Sequence, residues 1–244
     1  MSKAGRTAIV TGAGKRLGAE IARGLLADGW TVLAHVHHAE DQVPEGASKV
    51  MADLGEPDCV EAIFSAAQTH PPVRLLVNNA ARFAFDSLEE FSAAEFDAHM
   101  AINVRAPVSL SARFARVHDG GDALIVNILD SKLAAPNPDY LSYTLSKQAL
   151  QGATELAARA LAAKGIRVNA IAPALMLQSP GQTEANFRAM HEANPLRRGV
   201  EPSDILAAIR YLVEALTVTG QCLVIDSGQR FLSLDRDVQF LGEQ

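Results

Sequence analysis

Thr7-Ala8-Ile9-Val10-Thr11-Gly12-Ala13-Gly14-Lys15-Arg16-Leu17-Gly18 is the stretch on which the fold turns. Thr7–Val10 reads as a buried strand, the glycines as a tight turn, and the residues beyond as a helix to about Ala27. Glycine in such a turn lets the backbone approach a pyrophosphate, whose charge then sits at the helix N-terminus. A strand-to-helix turn without a ligand is the plainer reading. Its position after the first strand of an α/β chain weighs against that.

Working outward, Thr31–Val36, Lys49–Ala52, Val73–Val77, Leu124–Ile128, Ile166–Ile171 and Cys222–Ile225 read as further strands. Helical stretches are predicted from Pro57 to about Thr69, near Ala94–His118, over Tyr140–Ala163 and over Pro202–Ala215. Pro107 must kink or interrupt the second of these. Lys164-Gly165 is a good stop for the third. Strands that alternate with helices in this way imply a single Rossmann-like α/β domain over residues 1–244. Its doubly wound parallel sheet would have about seven strands, with helices on both faces. The least regular stretch is Ala174–Val200, around Ser179-Pro180-Gly181, expected to be a lid or substrate loop.

The composition excludes several classes. The chain has 244 residues, 48% hydrophobic and 20% charged, which is ordinary for a globular protein. A net charge of -6 gives no support to nucleic acid or an anionic membrane as partner. Cys59 and Cys222 stand far apart, without disulfide or zinc spacing, so both are expected to be core thiols and no metal is expected. No apolar run is long enough to span a bilayer, and Met1-Ser2-Lys3-Ala4-Gly5-Arg6 is unlike a signal peptide. A cytoplasmic protein acting on a small molecule is the expectation.

The spacing Thr11-Gly12-x-x-x-x-x-Gly18 resembles the short-chain dehydrogenase/reductase family, and the resemblance spans nearly the whole chain. That family usually has a third glycine where Arg16 stands, and Lys15-Arg16-Leu17-Gly18 resembles its pteridine reductase branch. The resemblance implies a nicotinamide cofactor held by Gly12, Lys15, Arg16, Leu17 and Gly18. Forms that prefer NAD carry an acid at the end of strand two. This chain has His35-Val36-His37-His38 there, with no acid before Glu40. His37 and His38, with Lys15 and Arg16, could then meet a 2′-phosphate, and NADPH is the cofactor expected. Solvated surface histidines are the alternative. Asp53-Leu54 matches the acid set against the adenine, and Asn78-Asn79-Ala80 the motif that lines the cofactor. Pro173-Ala174 stands for the family's Pro-Gly, and Asp226-Ser227-Gly228 resembles its Asp-Gly-Gly ending.

Tyr143 and Lys147 are four residues apart, on one helical face. A nearby ammonium favours phenolate and draws a phenol's pKa down, which is what acid–base work at neutral pH asks for. Lys147 can also hold the nicotinamide ribose. The family's catalytic Asn is matched by Asn103. The family's Ser, thirteen residues before the Tyr, is replaced by Asp130, as in pteridine reductases. Ionised, that carboxyl opposes phenolate formation; protonated, it donates a proton to or through the Tyr. An Asp that merely caps a loop is the other reading. Phe83 matches the pteridine reductase Phe that stacks on the pterin, although a core Phe is also possible. Arg16, Phe83, Asp130 and Tyr143 are thus the expected substrate contacts. The leading expectation is an NADPH-dependent pterin or dihydrofolate reductase. A ketone reductase comes second, and a catalytically silent dinucleotide sensor third. The resemblance, with the alanine- and leucine-rich Gln148–Ala163 stretch, also implies a homotetramer.

Overall fold

The computed structural model describes residues 5–179 and 181–241; residues 1–4, which include most of the N-terminal segment discussed above, and Pro180 of the expected loop lie outside them. Seven strands form: β1 (Thr7–Val10), β2 (Thr31–Val36), β3 (Ser48–Met51), β4 (Val73–Asn78), β5 (Ala123–Ile128), β6 (Ile166–Pro173) and β7 (Cys222–Ile225). They make one parallel sheet in the order β3-β2-β1-β4-β5-β6-β7. Every residue of β1, β5 and β6 is buried; β1 and β5 accordingly read as nearly continuous apolar runs rather than alternating ones, while β6 also buries Arg167 and Asn169.

Two helix layers cover the sheet. On one face α1 (Arg16–Ala27) and α7 (Pro202–Glu214) pack Ile21, Leu25 and Ile209 against Ala8, Val10, Leu75 and Val126. On the other, α2 (Cys59–Ala67), α4 (Ala106–Val117) and α5 (Leu141–Leu161) enclose Ile9, Leu76, Ile125 and Ile166 with Ile63, Leu110, Phe114 and Ala158. Ala8 and Val10 face one layer while Ile9 faces the other, as the period of two in a strand requires. The strand order reverses between β1 and β4. Sheets of this kind bind ligands beyond the carboxyl ends at that point.

The helix expected near Ala94–His118 is three pieces. α3 (Ala93–Met100) runs into a π-helical turn, Ala101–Arg105, and then into α4. Pro107 sits in the first turn of α4. It has no N–H to give to the Asn103 carbonyl four residues back, and its ring would crowd that carbonyl, so the chain widens just before it. Proline therefore interrupts this helix, as the sequence predicts, and starts α4. The expected loop Ala174–Val200 holds α6 (Glu184–His191), begun by Thr183, whose hydroxyl accepts the Asn186 N–H at 3.2 Å. No helix among the described residues is long and apolar enough to cross a membrane.

Candidate active site

The turn after β1 is pinned from two neighbouring strands. The Asn79 amide donates to the carbonyls of Thr11 at 2.9 Å and Gly12 at 3.3 Å, while the Thr11 hydroxyl accepts the N–H groups of Asn79 and Ala80. From β2, His35 Nδ1 accepts the Gly12 N–H at 3.2 Å. Its Nε2 therefore carries the proton and donates to the Ala52 carbonyl at 3.0 Å. Burial holds this imidazole below its ordinary pKa, which keeps it neutral and able to accept. Gly18 is fixed by sterics, since a Cβ there would overlap the Gly12 carbonyl and the Asn79 amide. Arg16 keeps a left-handed backbone at φ 52°, a strain of roughly 1–2 kcal/mol for a residue with a side chain. The first turn of α1 has no acid and no side-chain cap, so its N–H groups remain available to an anion.

A crevice of ≈ 360 Å³ opens along this turn, lined by Gly12, Lys15, Arg16, Leu17, Gly18, His37, His38, Asp53, Leu54, Asn79 and Ala80. The structure thus brings together the residues expected to hold a cofactor, with Pro173 and Lys147 in the adjoining cleft. His37 lies 3.6 Å from Asp53 and 4.1 Å, ring to ring, from His38. Asp41, which the sequence reading passed over, also lines the crevice and accepts the His38 N–H at 3.0 Å. That bond lowers the pKa of the exposed carboxyl.

The adjoining cleft, ≈ 550 Å³, holds Arg16, Phe83, Asp130, Tyr143 and Lys147. The Tyr143 hydroxyl donates to Asp130 Oδ2 at 2.9 Å, and the Lys132 N–H donates to Asp130 Oδ1 at 2.8 Å. Lys147 Nζ donates to the Ile128 carbonyl at 2.7 Å and lies 5.6 Å from the Tyr143 ring centre. The Tyr143 phenol is not drawn down as expected. Burial, reinforced by the Asp130 charge and hydrogen bond, pushes it well above its ordinary value. Burial also brings Lys147 down to about 8, against the attraction of Asp130. Asp130 is raised by burial, against the hydrogen bonds from Lys132 and Tyr143. Both groups thus hold their protons more tightly than they would in water.

Phe83 meets Tyr143 edge-on at 4.8 Å and stacks on Tyr140 at 4.2 Å, with 38% of its surface exposed. It is therefore no core residue. Arg16 spans the cleft mouth, its guanidinium donating to the carbonyls of Gln178 at 2.9 Å and Leu177 at 3.2 Å. In this conformation it ties the turn to the 174–200 segment instead of presenting a free cation. Asn103, expected among the catalytic groups, does not line the cleft. Its amide is buried in the π-helical turn, accepting the Arg82 N–H at 2.8 Å and donating to the Arg82 carbonyl at 3.0 Å and Ser146 Oγ at 2.9 Å. It thereby fixes the segment leading to Phe83 against α5.

Three features had no signal strong enough to be read. Asp86 accepts the Ser142 N–H at 2.9 Å and the Ser142 hydroxyl, capping the start of α5 from the loop that carries Phe83. Lys132 lines the cleft beside Asp130, and Asp237 and Val238 of the C-terminal segment close its far side. Asp41 alone carries a signal in the sequence, as a second acid directly after Glu40 in the strand-two turn. Among the described residues no cluster of His, Cys, Asp and Glu is arranged to hold a metal ion.

Comparison with known proteins agrees with this geometry. A family model described as Enoyl-(Acyl carrier protein) reductase matches residues 12–230. Pteridine reductase 1 of Leishmania tarentolae is 30% identical, over 91% of this chain and 95% of its own length. L-xylulose reductase of Mesocricetus auratus is 32% identical, over 92% of this chain and 96% of its own. The crystal structure of FolM alternative dihydrofolate reductase 1 from Brucella canis, complexed with NADP, superposes with a TM-score of 0.89 at 35% identity, covering 95% of this chain and 97% of that one. The pteridine and dihydrofolate reductase matches bear out the branch suggested by Lys15-Arg16-Leu17-Gly18. With its parallel sheet, glycine turn and Tyr–Lys pair, the chain belongs to the short-chain dehydrogenase/reductase family of NAD(P)-dependent oxidoreductases.

Proposed function

We propose that this protein is an NADPH-dependent reductase of pterin-like substrates, of the dihydropteridine or dihydrofolate type. The observation that carries the reading is the proton-holding Asp130–Tyr143 pair set edge-on to the exposed ring of Phe83 in one cleft. A planar bicycle can stack on that ring while its reducible C=N bond faces the phenol. The residues fit NADPH: the turn leaves no room for a Cβ at Gly18, the helix N-terminus is uncapped, and Lys15, His37 and His38 line the end where a 2′-phosphate would lie. Bound there, NADPH supplies a hydride to the ring carbon.

The protein's own part is the proton. Tyr143 gives its hydroxyl proton to the ring nitrogen, and neutral Asp130 returns one to the Tyr143 oxygen across their 2.9 Å hydrogen bond, leaving a carboxylate. Lys147, brought down by burial to about 8, holds the nicotinamide ribose and favours the transient phenolate. Arg16 would exchange its bonds to Leu177 and Gln178 for the cofactor phosphates at the edge of the substrate cleft. Homotetramer assembly belongs to the same proposal. Leu156 on α5 is 71% exposed and Phe231 beyond β7 is 69% exposed, apolar area that a partner would cover. Light scattering that gives a monomer-sized particle at micromolar concentration would end that part.

The test is NADPH oxidation with dihydrobiopterin, dihydromonapterin, dihydrofolate and a panel of ketones. Turnover of a dihydropterin is expected, with Phe83→Ala raising its KM by about tenfold, near the upper end for a lost stacking contact. Reduction of ketones without any pterin would replace this reading by carbonyl reduction, the chemistry named for the L-xylulose reductase relative.

A further inference from the structure

The cleft has a charged wall that the reaction above does not use. Lys132, just beyond β5, and Asp237, from the C-terminal segment, both line it, with their side chains only 10% and 16% exposed. Lys132 Nζ lies 3.3 Å from Asp237 Oδ2 and donates to the Asp139 carbonyl at 2.6 Å. An ammonium has three N–H groups, so one remains. Asp237 Oδ1 accepts the Gln239 N–H at 3.1 Å, and each of its oxygens retains a lone pair.

Holding the tail does not require this pair. Asp139 already takes the Asp237 N–H at 2.8 Å and the Arg236 guanidinium at 2.8 Å, and Tyr140 donates to Gln239 Oε1 at 2.6 Å. An ion pair so largely desolvated adds little stability of its own, because desolvation offsets the attraction. Asp237 is also close to the reacting groups. Burial is the chief reason that Asp130 and Tyr143 titrate upward, and the Asp237 charge adds to both.

We propose that Lys132 and Asp237 form a recognition subsite for a group that carries a hydrogen-bond acceptor beside a donor, the pattern of a lactam. This rests on the pterin reading. In a dihydropterin the lactam carbonyl lies next to the imine nitrogen that takes the proton, with the lactam N–H one atom farther. A residue that reads the carbonyl must therefore line the same cleft as Asp130, and Lys132 and Asp237 both do. Lys132 donates to the carbonyl and Asp237 accepts the lactam N–H. A simple ketone has no N–H for Asp237, and its single carbonyl is engaged at Tyr143.

The test pairs two substrates with two variants. Dihydrobiopterin and its analogue methylated at the lactam nitrogen are compared on the wild-type protein, Asp237→Asn and Lys132→Met. On the wild type the methyl group should raise KM by at least about tenfold, the scale of a hydrogen bond to a charged group. In Asp237→Asn, KM for dihydrobiopterin should rise by a similar factor and the methyl penalty should shrink to about twofold or less. Lys132→Met should raise KM for both pterins while leaving KM for an accepted ketone unchanged. KM values that move equally for both pterins and the ketone would make the pair a mere tail clasp and overturn the subsite, as would unchanged KM values. Those outcomes leave dihydropterin turnover intact. Loss of the pterin reading itself shows differently, as no turnover of dihydrobiopterin by the wild type, and it removes the subsite as well.

Discussion

Tyr143 and Asp130 form a closed hydrogen-bonded pair at 2.9 Å, in which the phenol donates and the carboxyl accepts. Both groups are pushed upward in pKa, chiefly by burial. The pair therefore holds its protons more tightly than free groups would, which suits the proposed reduction of a C=N bond.

Tyr143→Phe should remove turnover by about 10²-fold or more, the scale of a positioned acid. The ring keeps its edge contact with Phe83, so cofactor affinity should hold. Steady-state rates together with fluorescence titration of NADPH check both halves. A Phe variant near wild-type kcat would end the assigned mechanism. Lys147→Ala should weaken kcat and cofactor affinity together.

Asp130 predicts a pH signature in stability. Its native pKa lies above its unfolded value because burial disfavours the charge. Between those two values the unfolded chain releases a proton that the native chain keeps. Stability is thus fully present below the unfolded pKa and is lost as pH rises through the native one. Asp130→Asn lacks that loss. From about pH 4 up to the native pKa its Tm should rise relative to wild type, by roughly 2–4 °C per kcal/mol for a chain of this size. Parallel melting curves across that range would show that Asp130 ionises freely. Activity should move the other way, with the Asn variant slower on a dihydropterin than on any ketone it accepts.

What the sequence made legible follows from which interactions are local. Buried strands such as Leu124–Ile128 are apolar but for one residue, and the Tyr143–Lys147 spacing lies within a single helix, so both could be read directly. The glycine turn could be read because Gly18 has no alternative once Asn79 closes on it. Three things could not be read. Pro107 announced a break in the second helix but not its form, a π-helical turn in which Asn103 is spent on holding Arg82 and Ser146. The direction of the Tyr143 shift depended on burial, which outweighs the neighbouring ammonium. The far wall of the cleft joins Lys132 and Asp139 to Arg236 and Asp237, residues about a hundred positions apart with no shared motif.

Cofactor selectivity should follow from the strand-two turn. With no acid at His37 or His38, NADPH should bind at least tenfold more tightly than NADH, about 1.4 kcal/mol. Asp41 works against this from the same crevice. Asp41→Asn should therefore sharpen the preference by about two- to fivefold, the range of an exposed charge contact. Equal dissociation constants for the two cofactors would mean that the histidines do not read the phosphate.

Asp86 supplies the last prediction. α5 begins after Tyr140, which is left-handed at φ 55° and offers no side-chain cap, and its first turn contains no acid. The helix that carries Tyr143 and Lys147 thus has no local means of satisfying its first N–H groups. Asp86 does so from outside, through the Ser142 N–H and hydroxyl, while its own carbonyl accepts the Leu141 N–H at 3.2 Å. The same loop carries Phe83, so one carboxylate fixes the stacking ring relative to the acid. Asp86→Ala should cost about 0.5–2 kcal/mol, as loss of a cap does, and it leaves the buried Ser142 hydroxyl without its acceptor. KM for a stacked substrate should rise along with the drop in Tm, because Phe83 loses its anchor. Asp86→Asn retains one acceptor and should recover part of both. A melting temperature and KM unchanged in the Ala variant would show that the helix start is held by something other than Asp86.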